Sequence, residues 1–350
     1  MRTFKQRGFS LIELMVAMTL GLILLGGVIS IFHSSKMTYN TNEKTARLQE
    51  NGRVALDFLT HDLRSAGYLG CSKVPDWFVS TLNDQTTFLW NYFNPLQGYE
   101  SNGAGTWAPA LPGGLDALNP APLATSDVVV VRGLLRDGLA MELTADVAGT
   151  TGDPSVPILT PTSAGQIMVI TDCESATVFQ ATGWTPGATN GVIAHATGGG
   201  WIPGNSTTDM NVTFNANSRI LPLQTYVYYV ANDAAGLPGL YRQSGATRPA
   251  ELLIEGVSAL QLSYAVDTSV PTDRVADGYF SADAVTNWDN VISVTLGMLL
   301  QSETNGGNPP DAKTYQVLPA AIGGQLIPAA NDLRQRMVFT TTIAIRNRAL

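Results

Sequence analysis

One carboxylate stands inside the first long apolar run of this 350-residue chain: between Phe9 and Phe32 the only formal charge is Glu13. An ionisable group in a membrane-length run costs a few kcal/mol on insertion scales and is by default a functional candidate. Two chemistries are open to it. It can pair with a cation inside a low-dielectric bundle, or it can sit near enough to the start of the run to reach headgroups. Other reactive residue types are sparse. His33, His61 and His195 are far apart and fit no metal-ligand spacing such as HExxH. Gly198-Gly199-Gly200 lacks the lysine of a phosphate-binding loop and reads as a turn, and no serine lies in a GxSxG elbow. Asp267, Asp273, Asp277, Asp283 and Asp289 form an acidic stretch around Gly278. Oxygen-rich loops can bind calcium, but this spacing matches no EF-hand and reads as a solvated loop joining two strands. Neither catalysis, nor a cofactor, nor a metal is expected from this set.

The elements that must position Glu13 follow from periodicity. A helix from Phe9 to Phe32 is roughly 36 Å long, enough for a hydrocarbon core of about 30 Å. Arg2, Lys5 and Arg7 precede it, which keeps that end cytoplasmic and sends residues beyond about 33 across the membrane. The helical pattern then turns amphipathic. Leu48, Gly52, Ala55, Leu56, Leu59, Leu63 and Ala66 recur at spacings of three and four, with Glu50, Arg53, Asp57, Asp62 and Arg64 largely between them. Gly67 suits a C′ position, so Phe9 to Ala66 reads as one helix of roughly 87 Å.

Beyond the helix, 14% charged residues with 34 glycines and 19 prolines suit a β-rich extracytoplasmic domain with long loops. A formal charge of −8 argues against non-specific nucleic-acid binding. Residues 71–125, with Trp77, Trp90, Trp107 and four prolines from Pro109 to Pro122 placed without period, read as loops with short elements. Asp127–Arg132, Gln166–Thr171 and Leu221–Val230 read as strands. Three later segments alternate: Leu260, Leu262, Tyr264 and Val266; Ile292, Val294, Leu296, Met298 and Leu300; then Met337, Phe339, Thr341, Ile343 and Ile345. Period two predicts antiparallel strands with one face on a core and the other solvated.

Gly8-Phe9-Ser10-Leu11-Ile12-Glu13, behind its short basic leader, resembles the class III signal of type IV prepilins and type II secretion pseudopilins. The resemblance implies that prepilin peptidase cuts between Gly8 and Phe9 and methylates the Phe9 amine. Glu13 then becomes the fifth residue, paired in a filament with a neighbour's N-terminal amine. Gln49-Glu50-Asn51-Gly52-Arg53-Val54-Ala55 and Asp62-Leu63-Arg64-Ser65-Ala66-Gly67-Tyr68-Leu69-Gly70-Cys71 resemble the PilW family of minor pilins, which is similar to the J-type pseudopilins. Trp288-Asp289-Asn290-Val291-Ile292-Ser293-Val294 and Arg346-Asn347-Arg348 do so too. Together these features imply a pilin-like α+β fold: a long membrane-spanning N-terminal helix packed on an antiparallel β-rich domain. Its expected divisions are a leader at 1–8, a membrane half-helix at 9–32, an amphipathic half at 33–67 and a pilin domain at 68–350, loop-rich at about 71–125.

The implied function is a minor pilin in the priming or tip complex. Implied partners are prepilin peptidase, other minor pilins, the major pilin and a PilY-type tip adhesin. The implied path runs from the inner membrane, with the main domain periplasmic, to the pilus. A J-type pseudopilin of a type II secretion system is the alternative, and a membrane-anchored periplasmic binding module a weaker one. Cys71 and Cys173 are the two cysteines, and in an oxidising periplasm an even pair reads as a disulfide, the alternative being two separate buried thiols.

Overall fold

The structure, a computed structural model, describes residues 10–71, 75–113, 115, 118–136, 138–157, 164–245, 249–303, 310–346 and 348. Leu11–Arg64 form one helix of 54 residues, about 81 Å long. It stops short of the expected Ala66. The Ser65 hydroxyl donates to the His61 and Asp62 carbonyls at 3.0 and 3.1 Å. Gly67, at φ +70°, then donates its N–H to the Arg132 carbonyl at 2.9 Å, turning the chain into the sheet.

The spine of the β region is the strand Arg219–Asn232. Its first part pairs with Ile167–Thr171 and its last part with Pro238–Ser244, while Val128–Leu134 runs beside its centre. Glu251–Glu255 extends this sheet beyond Pro238–Ser244. A second sheet has the order Gly278–Phe280, Val257–Val266, Val291–Gln301, Arg336–Ala344, antiparallel throughout. A lobe within 141–218 adds the small antiparallel sheet Ser155–Pro157, Asn190–Ala194, Gly183–Pro186 around Phe179, Ile193, Met210 and Phe214. Among the described strands, Trp77–Ser80 with Ser175–Gln180 is the parallel pair in an otherwise antiparallel fold. The main core lies between the helix and the two large sheets: Leu48, Ala55, Leu59 and Leu63 pack with Val129, Tyr228, Leu262 and Met298. Leu59 and Leu63 are fully buried, which stabilises by roughly 1.5–3 kcal/mol each.

One expectation needs correction. Strands Val257–Val266 and Val291–Gln301 are buried on both faces along most of their length, not half-solvated. The segment after residue 310 covers the outer face: Val317 packs with Ala259 and Leu299, and a Cβ on Gly297 would lie 2.6 Å from the Val317 carbonyl oxygen. Residues 71–125 hold loops and short strands, and one of these strands is central. Leu96–Ser101 is a core strand paired with Val128–Leu134, with Leu96 and Tyr99 buried. Its disguise is Gly98, where a Cβ would stand 2.0 Å from the Tyr264 hydroxyl oxygen. The ring needs that space, so the strand cannot show an apolar alternation there.

Candidate assembly interface on the N-terminal helix

Among the described residues, the first half of the helix packs on no other part of the chain. From Leu11 to Tyr39 its large apolar side chains are exposed, Leu11 at 78% and Phe32 at 70%, and the first buried helix residue is Leu48. Mean hydropathy reaches 2.4 over an 18-residue window of this helix, long and apolar enough to cross a membrane. Cβ atoms added at Gly21, Gly26 and Gly27 would meet no atom within 4 Å, so at these points another helix can approach the backbone closely.

Glu13 sits at the start of this surface in a reciprocal cap. Ser10 Oγ accepts from the Glu13 N–H at 3.3 Å, and Glu13 Oε2 accepts from the Ser10 N–H at 3.0 Å. This satisfies two of the donors that a helix start leaves unpaired, and it places negative charge at the positive end of the helix dipole. The carboxylate thus has a structural task that the reading of the sequence did not assign it. Gly8 and Phe9, the expected cleavage and methylation positions, lie outside the described residues.

The far end of the helix is fastened through Asp62, placed by the sequence pattern on the polar side. It is 3% exposed. Tyr228 donates its hydroxyl to Asp62 Oδ2, His61 Nδ1 lies 2.8 Å from Oδ1, and the Arg136 and Arg242 guanidinium groups stand 3.6 and 4.0 Å from the carboxylate. Burial, and then the Asp62 charge, push the Tyr228 phenol well above its ordinary value. Arg136 also covers the Phe58 ring at 4.7 Å. Asp62 lies three residues after Leu59 and seven after Ala55, within the apolar stripe, and that spacing was the signal that could have found it. Gly52 brings the helix against the Phe339 ring, where a Cβ would sit 2.3 Å from Cζ. Arg346 donates its N–H to the Arg64 carbonyl at 3.1 Å.

Just past the helix, Cys71 and Cys173 form a disulfide across a sequence separation of 102. Cys173 lies in the turn between Ile167–Thr171 and Ser175–Gln180, at φ +74°. In the acidic stretch, Asp267 accepts from the Ser269 and Arg274 N–H groups, Asp277 from Thr268 and Ser269, and Asp289 from Arg348. Asp267 and Asp277 brace their own loop and Asp289 ties it to Arg348, and among the described residues no group of three or more metal-ligating side chains stands together.

Residues 3–29 match the model of the prokaryotic N-terminal methylation motif, and residues 227–347 match that of type IV pilus-assembly protein W, the PilW family. No match is found among curated proteins. Among solved structures, a type IV-like pilin from Thermus thermophilus is similar at 12% identity and a TM-score of 0.33, over 87% of this chain and 100% of that one. The chain is a type IV pilin-like protein: a membrane-anchored pilin with a role in pilus assembly. Its partners are pilus components, and the motif implies processing by prepilin peptidase. More particularly, its last third carries a PilW-type domain, which includes the second half of the spine strand together with Val257–Val266, Val291–Gln301 and Arg336–Ala344.

Proposed function

We propose that this chain acts in the priming or tip complex of the pilus, entering it after cleavage between Gly8 and Phe9 and methylation of the Phe9 amine. The observation that carries this reading is the unpartnered apolar half-helix, exposed from Leu11 to Tyr39 and joined rigidly through Asp62 and Leu59 to a large β domain. Such a helix is stable only in a bilayer or among other helices, and it can exchange one for the other without rearranging the domain. Glu13 supplies the charge that selects axial register against a neighbour's amine. The domain faces the periplasm before assembly and the exterior afterwards. Other minor pilins, the major pilin and a PilY-type adhesin are the partners this role requires.

Deleting the gene in its own host is expected to lower the number of surface pili, and the wild-type chain should appear in sheared pili in small amount beside the major pilin. Normal piliation accompanied by a secretion defect would overturn the reading in favour of a secretion pseudopilus.

A further inference from the structure

A cavity beside the spine strand carries chemistry that helix packing does not use. It holds about 400 Å³ and is lined by Trp90, Tyr92, Trp201, Gln166, Gln224 and Ser244 together with glycine backbone. That volume is in the range of small-ligand sites. All of its described lining residues are uncharged, and none belongs to the helix. Burying the apolar half-helix among others therefore removes none of this wall.

We propose that the cavity binds neutral carbohydrate, one or two uncharged pyranose units. A pyranose offers an apolar C–H face that packs on an aromatic ring, and a rim of hydroxyls that both donate and accept. Aromatic rings beside carboxamides meet both needs. The Gln166 amide donates to the Ile167 and Leu223 carbonyls at 3.3 and 3.1 Å, and the Gln224 amide to the Thr225 carbonyl at 3.2 Å. These bonds fix each side chain by its nitrogen, and among the described residues neither amide oxygen accepts a hydrogen bond. Tyr92, 6% exposed, has a hydroxyl without a well-formed hydrogen bond; Thr225 beside it donates instead to the Leu89 carbonyl at 2.7 Å.

Trp201 is set in advance. Gly198, Gly199 and Gly200 all have φ between +75° and +84° and turn the chain so that the indole lies on backbone. Cβ atoms at Gly165 and Gly199 would stand 3.0 and 3.3 Å from the ring. A ring held by backbone loses little freedom when a ligand packs on it. The lining also discriminates. Among the described residues the wall offers hydrogen bonds and no cation, which suits a neutral ligand, and the amides would be left unpaired by a purely apolar side chain.

The test is made on the purified full chain in detergent, so it does not depend on where in the pilus the chain resides. Glucose, galactose, N-acetylglucosamine and their disaccharides are titrated by intrinsic fluorescence and saturation-transfer NMR. Saturable binding of at least one of them is expected. Trp201→Ala should weaken it at least tenfold, Trp201→Phe should restore it to within a few-fold, and Gln224→Ala should cost several-fold. If Trp201→Ala fails to fold, the Gln224→Ala and Trp201→Phe titrations decide. No saturable binding of any neutral sugar, or binding indifferent to these substitutions, overturns the proposal. So does preferential binding of a peptide from a co-assembled pilin, which would make the cavity a protein contact.

Discussion

Glu13 carries two separable tasks, a charge and a cap. Glu13→Gln keeps an oxygen that can accept from the Ser10 N–H but removes the charge, whereas Glu13→Ala removes both. If register depends on pairing with a neighbour's amine, both variants should be inserted in the membrane yet depleted in sheared pili, since breaking a buried pair costs roughly 3–5 kcal/mol. If only the cap matters, Glu13→Gln should assemble nearly as wild type and Glu13→Ala should lose about 1 kcal/mol of helix stability. The ratio of each variant in pili to membranes separates the two, and depletion of both is expected. Glu100 makes a second residue-scale prediction. Burial raises its pKa to about 7, helped by the Asp283 charge and opposed by a Gln325 hydrogen bond. Asp127 nearby is raised in the same way, by burial and then by Glu100. A carboxyl whose folded pKa is raised holds its proton in the native state, so its contribution to stability is greatest below the unfolded value and is lost as pH rises to about 7. Glu100→Gln should therefore be more stable than wild type at pH 8, with the difference shrinking toward pH 5. Thermal unfolding of both chains in detergent at these two pH values checks it, and a difference that does not change with pH would contradict it.

At the scale of elements, the helix docks through Asp62 as much as through its leucines. Asp62→Ala leaves Arg136 without its carboxylate and Tyr228 without its acceptor, while Arg242 keeps Glu251 at 3.0 Å; it should cost roughly 3–5 kcal/mol, against about 1–3 for Tyr228→Phe, which removes one donor to it. Denaturant unfolding of the two variants gives the ranking; equal losses would mean that the hydrogen bond, not the charge, holds the helix. The helix itself was legible because a charge-free run followed by three-and-four spacing admits few other structures. The strands at Val257–Val266, Val291–Gln301 and Arg336–Ala344 were legible from their alternation, but the second covering of the first two was not. That covering depends on Val317, which lies far along the chain from Ala259 and has no local pattern tying it there. Leu96–Ser101 was illegible because Gly98 yields its space to a ring contributed by Tyr264. Tyr228 was read as a strand former, but its partnership with Asp62 joins positions 166 residues apart, and single-sequence periodicity carries no such pairing. The cavity by Trp201 was hidden likewise: its triple glycine was read as a turn, correctly, without the ring that the turn presents.

At the scale of the whole molecule, the disulfide closes a very long loop. In the chain-entropy account a loop of about 100 residues is worth up to about 4.7 kcal/mol, so replacing Cys71 and Cys173 together by serine should lower the unfolding free energy by several kcal/mol. Guanidinium unfolding of the full chain in detergent measures this, and a loss under 1 kcal/mol would mean that the reduced chain retains the same closure by other contacts.

The placement of that bond also decides how the molecule answers to being pulled. The 54-residue helix is a single shaft gripped at one end, and traction on the lobe within 141–218 must reach it to be resisted. One path runs along the spine strand to Tyr228 and Asp62 and is non-covalent where strand meets helix. The other passes covalently from Cys173 to Cys71, a few residues past the helix end. With both in parallel, a tug that slips the strand still finds the lobe leashed to the shaft, so the fold is built to give way last where its anchor begins.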